Sequence, residues 1–194
     1  MKRSILGWVV CCAVSFSACG QGEISFDNSS NQGDSTAVSG GRFWDWINNA
    51  PALLTVPTLH GKLLGGASPN SLSVLNRFLG GNSASVLLDF LAPGQYTDET
   101  GNPYIVPGVP SGGKAYFEVI IWEGDASSVS EALANGYHTA GSVVFSQTVG
   151  GGLAVPASLT GMPSIGFVPE PGVAPLAAFG ALTLRFFRRR GFPE

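Results

Sequence analysis

Cysteine, histidine and charge are all scarce in this chain, and each shortage closes off a class of function. The three cysteines, Cys11, Cys12 and Cys19, sit at the N-terminal end. The rest of the chain therefore has no thiol for a disulfide framework, a cysteine-ligated metal site or a cysteine nucleophile, and its stability must come from packing. The two histidines, His60 and His138, have no HxH, HxxxH or HExxH neighbour, so the local spacings of zinc sites and Ser-His-Asp triads are missing. They read as ordinary strand or turn residues, and neither a metal nor a cofactor is expected. Charged residues are only 12% of the chain, about half the ~25% usual in soluble domains. Bases are rarest in the middle. Between Gln21 and Glu170 lie twelve acids but only Arg42, Lys62, Arg77 and Lys114, a formal charge of −8 against −3 for the whole chain. Such a surface repels nucleic acid at long range, and no basic stripe interleaved with aromatics offsets it, so nucleic-acid binding is set aside.

What the chain does have is 194 residues, 44% of them hydrophobic, punctuated by 27 glycines and 13 prolines. That is enough for one domain with a real core and too little for two large ones. The hydrophobic content argues against disorder, and the glycine and proline argue for many turns.

Both ends carry processing signals. Lys2 and Arg3 precede an uncharged apolar run from Ile5 to Ala18, followed by the small residues Ala18, Cys19 and Gly20. This is the pattern of a secretory signal peptide, residues 1–20, with cleavage expected before Gln21. A rival reading takes Phe16-Ser17-Ala18-Cys19 as a lipoprotein signal that leaves an envelope protein anchored through Cys19. At the other end, Val168-Pro169-Glu170-Pro171 leads into an apolar stretch from Val173 to Leu184 and then Arg185, Phe186, Phe187, Arg188, Arg189 and Arg190. The two prolines hold Glu170 extended, the shape in which proteases and transpeptidases bind a substrate strand. A helix over 173–184 would be about 18 Å long at ~1.5 Å per residue, short of the ~30 Å hydrocarbon core. Extending it through Phe187, with Arg185 snorkelling, gives a weak, temporary anchor. The arginine cluster keeps its end in the cytoplasm and leaves the body outside.

Residues 168–194 resemble the PEP-CTERM sorting signal of Gram-negative bacteria, in which Pro-Glu-Pro precedes a hydrophobic helix and a basic terminus. The resemblance implies export by the general secretion machinery, transient insertion in the inner membrane and recognition by an exosortase-type membrane protease. It further implies delivery to the cell surface or extracellular polymer. More loosely, the body resembles β-rich ectodomains joined to such tails, through Gly22-Glu23-Ile24-Ser25-Phe26-Asp27-Asn28 and an aromatic strand followed by a Glu-Ala-Leu-Ala helix; it brings no catalytic residues with it.

The body, residues 21–167, reads as all-β. Lys114 to Gly124 (KAYFEVIIWEG) puts Phe117, Val119 and Ile121 on one face and Tyr116, Glu118, Ile120 and Trp122 on the other, the pattern of a central strand covered on both sides. Ser85 to Leu91 groups Val86, Leu88 and Phe90, and Ser142 to Val149 groups Val143 with Phe145. Shorter strands are expected at Glu23 to Phe26, Leu59 to Leu64 and Tyr104 to Val106. Turns are expected at Gly65-Gly66, Gly80-Gly81, Pro93-Gly94, Gly112-Gly113 and Gly150-Gly151-Gly152. One two-turn helix is marked by the capping box Ser128-x-x-Glu131 and the stop signal Asn135-Gly136. Ser71 to Leu79 fits helix and strand equally well. Together these elements predict a single β-sandwich-like domain with one short helix.

No reactive constellation emerges. Asp98-Glu99 is the nearest to a carboxylate pair, but adjacent acids in a Gly/Pro-flanked loop point apart and read as solvated, so glycoside hydrolysis is not expected. Asp27 to Asp34 (DNSSNQGD) is rich in oxygen donors, yet Gly33 is one position late for an EF-hand loop and the distal glutamate is absent. Trp44 and Trp46, with Asp45, Tyr96, Tyr104 and Trp122, offer the elements of a sugar-stacking platform, against the plainer reading that most are core. The expectation is therefore an exported, non-enzymatic surface or matrix protein associated with exopolysaccharide. A carbohydrate-binding module and a Cys19-anchored lipoprotein are the alternatives.

Overall fold

A computed structural model describes residues 20–31, 40–47, 50–56, 58–80 and 83–167. The expected signal peptide up to Cys19, the sorting residues Pro169, Glu170, Pro171, Arg188, Arg189 and Arg190, and the side chain of Trp46 lie outside the described residues.

The chain is mostly β. The longest strand among the described residues is β10, Lys114–Glu123. Its odd-numbered residues Ala115, Phe117, Val119 and Ile121 are fully buried, while Tyr116, Glu118 and Ile120 on the other face are half-buried. The alternation expected from the sequence is thus present, with the second face only partly covered. On one side β10 pairs antiparallel with β4, Leu59–Gly66, from Tyr116↔Gly66 to Glu123↔Leu59. On the other it pairs with β11, Thr139–Gly141, near its end and with β12, Phe145–Thr148, near its start. Beyond β4 the sheet continues through β7, Val86–Ala92, to β8, Gln95–Asp98, and β5, Ser73–Val74, joins the other end of β4. A second sheet orders β1, Gln21–Ile24, β9, Tyr104–Pro110, and β6, Asn76–Arg77. A third orders β13, Ile165–Phe167, β2, Phe43–Ile47, and β3, Ala50–Leu53, with β13 running parallel to β2.

Gly65 and Gly66 are not a turn. They end β4, whose inner face alternates Leu59, Gly61, Leu63 and Gly65, and the glycines are there because other side chains cross over them. A Cβ on Gly61 would lie 2.7 Å from the Phe26 ring, and one on Gly65 would lie 2.8 Å from Leu75. Such spacing lets large residues sink into the sheet at the cost of strand propensity. The ambiguous stretch at 71–79 resolves into two-residue strands β5 and β6 on either side of fully buried Leu75. Val143 lies outside β12 and is 73% exposed, so it does not share a buried face with Phe145. Phe90 is likewise exposed, just before a register shift in the β7–β8 pairing, which resumes at Ala92↔Gln95.

One contiguous apolar core draws on all three sheets, with Ile24 and Tyr104 from the second and Phe43 and Ile165 from the third packed with Leu63, Phe117 and Val119. A smaller cluster sits on the outer face of β10, where Trp122 packs with Ala126 and Ala132 beneath helix α1, Val129–Ala134. The Trp122 indole donates to the Ala126 carbonyl at 2.8 Å and stacks on His60. Ser128 caps the helix through Glu131 N–H, and the Glu131 carboxylate reaches back to Ser127 N–H and Oγ rather than to Ser128. At the other end Tyr137 N–H donates to Ala132 C=O and Gly136 N–H to Leu133 C=O, with Gly136 at φ 75°. This is a Schellman stop, as Asn135-Gly136 predicts.

Candidate functional site

Most residues with chemical capability are already engaged in holding the fold. Asp98 is 2% exposed at the end of β8, not solvated. Its carboxylate accepts from Arg77 Nε and Nη2, both at 2.9 Å, from Thr100 N–H and Oγ1, and from the Tyr104 hydroxyl. Glu99 beside it is exposed, so the two acids do not face each other across a cleft. Burial works against the Arg77 charge, and the bonds to Asp98 and Tyr104 outweigh it and raise the guanidinium pKa. Burial, reinforced by the Asp98 bond and charge, pushes the Tyr104 hydroxyl far above its ordinary range. His60 Nδ1 lies 2.8 Å from the Gly124 carbonyl while its ring stacks on Trp122.

Of the oxygen-rich segment Asp27 to Asp34, positions 32–34 lie outside the described residues, and the two asparagines before them turn inward. Asn28 and Asn31 are buried, and their carboxamides donate to the carbonyls of Gly41, Gly94 and Leu159, while Asn28 Oδ1 accepts from Tyr96 N–H. These amides join four stretches of chain and are committed to that task. Of the aromatic platform, Tyr96, Tyr104 and Trp122 are core residues no more than 1% exposed. Trp44 is half-buried, with its ring lying so close over Gly166 of β13 that a Cβ there would come within 2.0 Å of it.

One group of polar side chains at the rim of the core stands apart: Asp45, Glu123 and His138. Donor atoms from all three lie within 4.8 Å of one another. Three local rules bring them together. Glu123 continues the inward-facing series Phe117, Val119, Ile121 by one more position, where the strand runs out of apolar cover. Asp45 occupies the same phase of β2 as buried Phe43, and the β13 ladder fixes it opposite Phe167. His138 follows the Schellman stop of α1, which turns the chain back so that Glu123 N–H donates to the His138 carbonyl at 3.1 Å. The side chains then meet, with His138 Nδ1 3.2 Å from Glu123 Oε2 and the imidazole 5.9 Å from the Phe167 ring.

The electrostatics of this corner are mixed. The Glu123 side chain is 22% exposed and that of His138 63%. Burial pushes the Glu123 carboxyl up; the nearby His138 opposes the rise and the like charge of Asp45 adds to it. Two carboxylates on converging strands thus face one another, with an imidazole on the solvent side. They are the described residues whose donors come close enough to share one bound ion. Sequence reasoning passed over them because they are distant in the chain, although the phase of Glu123 on β10 was readable. No family model matches this chain, and no curated protein or solved structure is significantly similar to it.

Proposed function

We propose that this is an exported, non-enzymatic cell-surface or matrix protein, whose β-sandwich-like body is delivered by an N-terminal secretion signal and a C-terminal PEP-CTERM-like tail. The reading is carried by the two terminal signals in the sequence, and at the N-terminal one the paired body starts at the expected processing point. Strand β1 begins at Gln21, opposite Pro110, directly after the expected cleavage point. Cleavage before Gln21 would sacrifice one described backbone bond, from Ser111 N–H to the Gly20 carbonyl. The non-enzymatic part rests on the engagement of Asp98, His60, Asn28 and Asn31 in internal bonds. The acidic body, with formal charge −8 between Gln21 and Glu170, suits a soluble component of a hydrated polymer layer.

Terminal mapping by mass spectrometry tests this on native protein taken separately from inner membrane, outer surface and medium. The expected species outside the cell starts at Gln21 and ends near Glu170 or Pro171. An intact arginine-rich tail confined to the inner membrane would overturn the sorting reading, and an acylated Cys19 would replace it with a lipoprotein.

A further inference from the structure

We infer that Asp45, Glu123 and His138 form a binding site for one divalent transition-metal ion of the zinc class, which ties the β13–β2–β3 sheet to the end of the central sheet. The donor set is one imidazole nitrogen and two carboxylates. Calcium and magnesium seek six or more oxygens, whereas an imidazole with carboxylates suits zinc and its neighbours. The spacing fits as well. Zinc bonds to His and to Asp or Glu run about 2.0–2.2 Å, so two donors on one tetrahedral ion lie roughly 3.3–3.6 Å apart. The His138 Nδ1 to Glu123 Oε2 separation of 3.2 Å is close to that span, and all three donors lie within 4.8 Å of one another. Small side-chain rotations close the rest.

The backbone holds the three donors in place before any ion arrives. Glu123 and His138 are linked by the Glu123 N–H to His138 carbonyl bond, immediately ahead of the β10–β11 register at Trp122↔Thr139. Asp45 is held by Phe167 on one side and Ala52 on the other. The Phe167 ring, itself buried, limits the swing of the imidazole. An ion held by Nδ1 and Oε2 would also offset the like charges that Glu123 and Asp45 present to one another within this group. Because the His138 side chain is 63% exposed, the remaining coordination positions open to water. They would accept a solvent molecule or a carboxylate of a neighbouring polymer.

The test uses the full chain with Cys11, Cys12 and Cys19 alkylated, since free thiols would themselves take zinc. Zinc chloride is titrated calorimetrically, with calcium chloride in parallel. The expected result is saturable binding of one zinc per chain, no response to calcium at the same concentration, and a Tm about 5–10 °C higher at a hundredfold excess over Kd. Because the chain has only two histidines, the imidazole proton resonances assign the site, and those of His138 should move while those of His60 stay. His138→Ala and Glu123→Gln should each weaken binding by about a hundredfold or more, beyond the loss typical of an outer partner. The exposed position of His138 makes its variant the one least able to disturb the fold, and near-ultraviolet circular dichroism checks that. His60→Gln should leave the affinity unchanged. Absence of saturable zinc binding, or binding that survives His138→Ala, would overturn the assignment.

Discussion

Replacing Asp98 should cost this protein more stability than any other single polar substitution described here. Its carboxylate is 2% exposed and takes five hydrogen bonds, from Arg77 twice, Thr100 twice and Tyr104. Arg77 is also sheltered, with 11% of its side chain exposed. In Asp98→Asn the shape is kept, but an NH2 group now faces the donors that Asp98 Oδ1 or Oδ2 accepted, and the guanidinium loses its counter-charge. Breaking one partner out of a buried pair costs about 3–5 kcal/mol, because the other is left uncompensated. For a domain of this size that lowers Tm by roughly 6–20 °C. Urea unfolding followed by tryptophan fluorescence measures the loss directly, and an unchanged m-value would show that the two-state comparison holds. The triple variant Arg77→Met, Asp98→Leu, Tyr104→Phe removes the Arg77 and Tyr104 donors together with the acceptor, leaves only the donors of exposed Thr100, which water can satisfy, and should recover most of the loss. Asp98→Asn within about 1 kcal/mol of the parent, or a triple variant no better than the single one, would refute the reasoning.

Two further outcomes follow from the same core. The Tyr104 hydroxyl is pushed up by burial and by Asp98, and that of Tyr96 by burial and by Glu123, so in the fold both stay protonated well past the point where an unfolded tyrosine ionises. The folded state then holds more protons than the unfolded one, and stability falls as pH rises above about 10. Absorbance near 295 nm should show these two tyrosines ionising only together with unfolding, and Tyr96→Phe and Tyr104→Phe should each shrink that late step; a late step of undiminished size in both variants would contradict it. Gly166→Ala should drive a methyl into the Trp44 ring, where the ideal Cβ position is 2.0 Å away, and destabilise by about 1–3 kcal/mol with an altered tryptophan emission. Unchanged urea unfolding and emission would show that the third sheet tolerates the insertion.

Local signals in the sequence were reliable where local physics decides. The odd–even alternation in Lys114 to Glu123 and the capping and stop residues around α1 predict β10 and the helix, because each depends on neighbours a few positions away. Gly65-Gly66 misled, since a pair of glycines looks the same whether it makes a turn or makes room for Leu75. The strands β2 and β13 were invisible as a pair. Their parallel register, Ile165↔Phe43 to Phe167↔Asp45, joins distant parts of the chain, and three residues carry little periodicity. Asp98 was misjudged for a related reason, as nothing local reveals that Arg77 and Tyr104 converge on it. The corner of Asp45, Glu123 and His138 combines both cases: the inward phase of Glu123 is written in its own strand, but its companions arrive through tertiary structure.

The short parallel ladder between β13 and β2 also has a mechanical meaning. Tension applied at Phe167 enters the body through these three residues. Drawn along its own axis, β13 shares the load over all its ladder bonds at once; drawn sideways, it peels, and the first position to give is Phe167↔Asp45. An ion that joined Asp45 to Glu123 would brace this weakest point against the ten-residue strand at the centre of the main sheet. The force at which a tethered molecule yields would then depend on the metal content of the surrounding fluid.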